Sequence, residues 1–272
     1  TGGARMNGQG DVSLDTVRAV YSGAEGELWE LLMGQQIHIG GMQSSLELAS
    51  RAGIGAAQRG IDLCCCNGAG MRLLVRMCDV HSMTGVDTTA TVIERGRQRT
   101  AAEGLAERID FVHADVCASG LADQCADFVW GEDAWCYVLD KPRLIAEAVR
   151  IVKPGGVIAF TDWVTGEVPM TAAESARFLT FMSFPNVQSV AGYARLLAAA
   201  GCEVLCAEDT GNFARYTGLY LDMVSMQLGY DALRILDFDM QALSAIGAEM
   251  VFLRELAAAS KLVQGRFLAR RA

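Results

Sequence analysis

Ile61-Asp62-Leu63-Cys64-Cys65-Cys66-Asn67-Gly68-Ala69-Gly70 is the stretch whose reading decides the fold. An apolar run ends beside an acidic residue, small residues follow, and a helical pattern runs from Met71 to Cys78. That order reads as a buried strand, a tight turn and a helix N-terminus. Such a turn lets a nucleotide-like ligand approach the backbone, with the helix amides facing it. A plain packing turn reads the same way, so this stretch needs its neighbours before it implies a ligand.

Outward from it, strand and helix alternate. Strands are expected at 60–64, 83–86, 109–113, 127–131 and 156–161, with helices at 69–78, 91–103 and 140–152 between them. A sixth strand is expected at 203–207 and a short last one at 265–269. The alternation predicts an α/β fold, a doubly wound and mostly parallel seven-stranded sheet. Before the sheet, residues 12–33 carry helical spacing broken near Ser22-Gly23, and Ser44 with Glu47 has the pattern of a capping box. The expected organisation is a Gly-rich tail at 1–10, disordered or a cloning remnant, a helical cover at 11–58, and the main domain at 59–272. Helical cap insertions are expected at about 163–200 and 212–262.

Composition narrows the partners. The 272 residues carry 23 Lys and Arg against 32 Asp and Glu, a net charge of −9. Polyanion binders show a basic stripe; here Arg95, Arg97 and Arg99 are diluted by Glu94 and Glu103. Neither a nucleic acid nor an anionic membrane is expected. No apolar run nears the ~18 residues of a membrane span, and the N-terminus lacks the basic and apolar parts of a signal peptide. Nine cysteines without CxxC spacing read as buried thiols, with no metal site and no disulfide framework. A cytoplasmic protein is expected.

Two further acids stand at expected strand ends. Asp87 is well placed to accept from both hydroxyls of a ribose, or to cap a helix together with Thr88 or Thr89. Asp115 can accept from an adenine amino group or simply be solvated. With Asp62 they would face the carboxyl edge of the sheet, where ligands bind in this architecture.

With these pieces, the chain resembles the class I S-adenosylmethionine-dependent methyltransferases over about residues 35–206 and the last strand. The resemblance rests on 62–70, Gly85-Val86-Asp87, Ala114-Asp115-Val116, Trp130-Gly131-Glu132-Asp133-Ala134 and Lys153-Pro154-Gly155-Gly156. Ile37-His38-Ile39-Gly40 and Glu132-Asp133-Ala134 are most similar to sarcosine/dimethylglycine N-methyltransferases. The resemblance implies S-adenosyl-L-methionine as cofactor, held by Gln36, Asp62, Cys64, Cys66, Gly68, Asp87, Thr88, Asp115, Val116 and Glu132. It implies methyl transfer to a small soluble acceptor, most of all an amine nitrogen.

Other residues follow from that expectation. His38 could take a proton from the amine, or could pin the N-terminal cover by hydrogen bonds. Tyr21 could reach over the cofactor, or face the core. Asp133, Trp135, Tyr137 and Trp163 are expected on the acceptor side, Trp135 and Tyr137 as an aromatic wall for a cationic product. The family has glycines where this chain has Cys64 and Cys66. A Cβ is strained where φ must be positive, so the turn either avoids that conformation or holds the cofactor differently. An oxygen, carbon or sulfur acceptor, and a non-catalytic S-adenosylmethionine-binding protein, stay open; a homo-oligomer also stays open. A nicotinamide-dependent oxidoreductase expects a G-x-G-x-x-G turn, which is absent.

Overall fold

A computed structural model describes residues 14–272; the expectation for 1–10 lies outside the described residues. Three helices come first: α1 (Leu14–Ser22), α2 (Ala24–Met33) and α3 (Gly41–Ala52). Then follow β1 (Arg59–Leu63), α4 (Ala69–Met77), β2 (Ser82–Asp87), α5 (Ala90–Ala102), β3 (Ile109–His113), β4 (Ala126–Glu132) and α6 (Lys141–Ile151). The second half holds β5 (Val152–Thr165), α7 (Ala172–Met182), α8 (Val190–Ala199), β6 (Cys202–Asp209), α9 (Phe213–Met226), α10 (Gly229–Ile235), α11 (Met240–Ala258) and β7 (Leu262–Arg271).

The seven strands lie in the order β3-β2-β1-β4-β5-β7-β6. The first five are parallel, and β7 inserts antiparallel between β5 and β6. This is the doubly wound architecture expected. From β1 the chain winds outward to β2 and β3, then returns to β4 on the other side. The carboxyl ends of β1 and β4 are thus a topological switch point, where the loops diverge and leave a crevice.

One face of the sheet packs Trp135, Phe160, Tyr193 and Phe267 with α6 and α8. The other packs Leu48 of α3 and Leu74 of α4 on Phe111, Phe128 and Trp130. A third apolar cluster joins α2 to α7, α9 and α11 through Trp29, Phe178, Phe213 and Leu253. These helices bury their stripes on one another beyond the end of β5.

Two expectations are corrected. The helix after Gly40 starts at Gly41, and Ser44 lies inside it instead of capping it. Gly40 takes φ 89° and starts the helix earlier by accepting from Ser44 N at 3.3 Å. The last strand has ten residues instead of five. It is buried on both faces between two partners, so it shows no polar alternation to read.

The turn after β1 keeps the left-handed backbone despite its cysteines: φ is 68° at Cys64 and 48° at Cys66. Strain of this kind costs on the order of 1–3 kcal/mol per residue and persists only when surroundings over-determine it. Here the end of β2 does so. Val86 O accepts from Cys64 N at 2.9 Å and Cys65 N at 3.2 Å, and Asp87 Oδ2 accepts from Cys66 N at 2.9 Å.

Behind the loop that follows β4, Asp162 is fully buried. It accepts from Cys136 N at 3.0 Å and from the Tyr193 hydroxyl at 2.6 Å. The buried Lys141 ammonium donates to the carbonyls of Cys136, Val138 and Asn186. Together they fix the short 3-10 turn Trp135–Tyr137 against β5 and α8.

Two outcomes are expected. Cys64→Gly relieves the backbone and raises stability by about 0.5–1 kcal/mol, read as a higher urea midpoint at unchanged m; a lower midpoint would mean the thiol's packing outweighs the strain. Burial raises the Asp162 carboxyl to about 6 from 3.8, against the pull of Lys141 and Tyr193. The native protein therefore holds a proton that the unfolded chain has lost, and this contribution fades as pH rises through 6. Asp162→Asn should gain on wild type in melting temperature between pH 4 and 6, and parallel pH curves would contradict the assignment.

Candidate functional site

At the switch point lies a cavity of about 370 Å³. Its floor is the Cys64–Cys66 turn and its sides are the ends of β1 to β4, each supplied by the loop its strand leads into. Its cover comes from Val17, Tyr21 and the loop Gln35–His38. The structure brings together here Tyr21, Gln36, His38, Asp62, Cys64, Cys66, Asp87, Thr88, Asp115, Val116, Glu132, Asp133 and Tyr137.

The cavity is strongly acidic. Among its described lining residues are Asp62, Asp87, Asp115, Glu132, Asp133 and Asp140, against Arg143 as the single Lys or Arg. Arg143 stands at the far end, near Asp115, Cys117 and Asp140. Burial pushes the Asp62 carboxyl well up, and the nearby Glu132 and Asp87 push it further. Burial also raises Asp87, offset by the amides of Thr89 and Cys66. Asp87 accepts from those amides with one oxygen each, both at 2.9 Å. A carboxylate has about four acceptor positions, so Asp87 orders the turn, starts α5 and still offers lone pairs to the cavity. Asp115 is exposed and accepts from Cys117 N at 2.9 Å. Burial raises the Cys66 thiol to about 12, which leaves it protonated.

Glu132 and Asp133 tie the cover to the sheet. Ser45 of α3 donates to Glu132 Oε1 at 2.5 Å and accepts from Gln36 Nε2 at 2.9 Å. His38 Nε2 sits 3.1 Å from Ser45 Oγ and 3.3 Å from Glu132 Oε1, while Nδ1 faces Ile39 O at 3.2 Å. Both ring nitrogens therefore face polar groups of the protein. The other Glu132 oxygen lies over Gly70, where a Cβ would meet it at 2.5 Å. Asp133 Oδ2 accepts from Ile39 N and from Gln264 of β7, both at 2.8 Å.

Tyr21 donates to the Tyr137 hydroxyl at 2.9 Å, and the rings meet edge to face. Burial keeps both hydroxyls well above their ordinary pKa. Beyond this pair a recess of about 20 Å³ is walled by Trp29, Trp163 and Phe184 as well, with Asp133 at its mouth. Trp163 therefore faces the recess and not the main cavity.

Two expected site residues lie elsewhere. Trp135 is fully buried: its indole crosses Gly131, where a Cβ would come within 2.4 Å, and donates to Leu63 O at 3.1 Å. It supports the sheet from below and forms no acceptor wall. Gly68 starts α4 with φ 74° and turns toward Phe111, 2.6 Å from where its Cβ would be. It shapes the turn without lining the cavity. Sequence reasoning missed Ser45 and Gln264, which carry no local motif. It also missed Arg72, which binds Asn67 O and Gln35 Oε1, both at 2.7 Å, and so clamps the cover to the turn.

Residues 61–160, a little over a third of the chain, match the methyltransferase domain family. Phosphoethanolamine N-methyltransferase 1 of Arabidopsis thaliana is 26% identical over 202 residues, 73% of this chain and 40% of that protein. Glycine/sarcosine/dimethylglycine N-methyltransferase of Actinopolyspora halophila is 25% identical over 221 residues, 74% of this chain and 38% of that one. The chain thus spans about two fifths of the length of these relatives. The crystal structure of Haemonchus contortus phosphoethanolamine N-methyltransferase 2 with S-adenosyl-L-methionine superposes with a TM-score of 0.83 at 18% identity, covering 97% of this chain and 60% of that one. At that identity the likeness establishes the fold. Residues 61–160 of this chain are thus a methyltransferase domain, and it lies on this sheet with the cavity at its switch point.

Proposed function

We propose that this chain transfers a methyl group from S-adenosylmethionine to the nitrogen of a small amine that carries no anionic group. The observation that carries the reading is the charge of the site: an acidic cavity opening onto an aromatic recess, with no Lys or Arg among the described residues that line the recess. Carboxylates and aromatic faces favour cations. A carboxylate or phosphate on the acceptor would find no partner there, since Arg143 stands at the opposite end of the cavity. This narrows the amine expectation away from amino acids such as sarcosine.

The residues present fit the cofactor. A cavity of about 370 Å³ falls within the usual range for such ligands, roughly 300–1,000 Å³. The left-handed turn at Cys64 and Cys66 bares backbone toward it. Asp87 would take the ribose hydroxyls on its remaining lone pairs. Asp62, with Glu132 close by, would face the cationic amino-acid end, and a cation there draws the raised Asp62 carboxyl back to its ionised form. Asp115 with Val116 would border the base. When bound, S-adenosylmethionine supplies an electrophilic methyl group on a sulfonium.

The protein's own part is alignment and exclusion of water. Tyr21 and Tyr137 stand where cavity and recess meet. Their neutral hydroxyls can accept from an amine N–H and aim its lone pair at the cavity. Burial disfavours the ammonium form of the acceptor, and the aromatic walls accommodate the methylated cation. His38 and Ser45 act through Glu132, by holding the loop Gln35–His38 closed over the site.

Titration calorimetry should give micromolar binding of S-adenosylmethionine and S-adenosylhomocysteine and none of NADH. Asp87→Asn should weaken both by roughly 10–100-fold, the worth of hydrogen bonds to a charged group; wild-type protein that binds neither ligand would overturn the reading. Tyr21→Phe should lower kcat/KM for amines by roughly three- to tenfold, one neutral hydrogen bond, with S-adenosylhomocysteine affinity within about twofold of wild type. An unchanged kcat/KM would remove Tyr21 from the acceptor side. Across a panel, simple alkylamines should outperform sarcosine and phosphoethanolamine, and the reverse order would refute the charge argument.

A further inference from the structure

The recess behind Tyr21 and Tyr137 shares part of its wall with a neighbouring space. Trp29 lines both the recess and a second, larger space of about 170 Å³ between α2, α7, α10 and α11. That space is walled by Leu28, Leu32, Phe181, Leu236, Ile246 and Met250, with Glu25 as its single charged lining residue among those described. Its volume is close to that of an engineered apolar cavity, about 150 Å³, that binds benzene. Cavity, recess and groove thus adjoin one another across shared wall residues: Tyr21, Ile37, Asp133 and Tyr137 border the first two, and Trp29 stands between the last two.

The join is narrow. The recess has room for about one water molecule, and Met33 and Met182 form part of its wall. Methionine is unbranched and repacks at low cost, so this wall can yield to a slim chain. Tyr137, Phe184 and Trp163 pack edge to face beside it, which leaves that side of the recess well ordered. A polar acceptor gains nothing from such a route.

We infer that the acceptor is a lipophilic amine: its nitrogen sits at Tyr21 and Tyr137, and its hydrocarbon body passes Trp29 into the groove between α2 and α11. The inference rests on the methyl-transfer reading and specifies the part of the acceptor remote from the reacting atom. The groove is filled by a ligand of hydrocarbon character, selected by length, and Ile246 and Leu32 set that length. This also gives the helices after β6 a task, since Leu236 at the end of α10 and Ile246 and Met250 of α11 face the α2 side of the groove.

The test uses the full chain saturated with S-adenosylhomocysteine and titrates straight-chain alkylamines from butylamine to decylamine by calorimetry. Affinity should rise about fourfold per added methylene, the worth of burying one CH₂, and then level off when the groove is full. Ile246→Trp should abolish the rise while leaving S-adenosylhomocysteine affinity within about twofold. Ile246→Ala, which opens the groove, should move the plateau to longer chains and shows that position 246 can change without unfolding. Affinity independent of chain length, or a rise undiminished in Ile246→Trp, would overturn the inference while methyl transfer stands. Failure of S-adenosylhomocysteine itself to bind would instead bring down the methyl-transfer reading. If Ile246→Trp alters sedimentation but not the chain-length profile, the groove belongs to a second copy of the chain and the inference is overturned.

Discussion

Two successive carboxylates after β4 hold the site together. Glu132 takes the Ser45 hydroxyl and stands beside His38, and Asp133 takes the Ile39 amide and Gln264. Asp133 is buried with no Lys or Arg among the described residues bonded to it, so its charge is supported by hydrogen bonds from N–H donors. Burial raises its carboxyl, and the neighbouring His38, the amide and Gln264 work against that rise. Hydrogen bonds to a charged group contribute on the order of 1.5–3 kcal/mol each, and an unmatched buried charge costs more than that. The three segments meeting here are about 95 and 130 residues apart along the chain. These bonds hold the His38–Ile39 end of the loop over the cavity, while Arg72 holds its other end through Gln35.

The turn after β1 shows how such a frame tolerates an unfavourable residue. Cys64 and Cys66 keep a backbone that suits glycine, because the end of β2 has already committed the amides around them. Their side chains enter the cavity wall. They narrow the space where the family leaves hydrogen atoms, yet the cavity retains a volume suited to the cofactor. Burial and the nearby acids keep these thiols protonated, which makes them packing groups in the resting protein.

Under the proposed function, acidic cavity and apolar helices divide the work of recognition. The sheet edge offers carboxylates to a cofactor with two cationic centres. The recess behind Tyr21 and Tyr137 offers aromatic faces, and the groove beyond it offers only hydrocarbon apart from Glu25. Polarity falls steadily from the strand ends to the helical cluster. An acceptor that matches this gradient has a nitrogen at one end and an apolar body at the other.

The sequence by itself determined the sheet and marked the acids that its strand ends bring to the cavity. Asp62, Asp87 and Asp115 end their strands, and an acid at a strand end next to a turn is a local signal. So is the Lys153-Pro154-Gly155-Gly156 break, because backbone preferences act over a few residues. What the sequence left open was every contact made across the fold. Whether Trp135 faced the acceptor depended on Gly131 leaving room for its indole, and Ser45 and Gln264 gained a role only by meeting Glu132 and Asp133. The positive φ at Cys64 and Cys66 was imposed by Val86 and Asp87, against the residues' own preference. Tertiary structure alone decided these points, because packing and buried hydrogen bonds join residues whose separation in the chain carries no pattern.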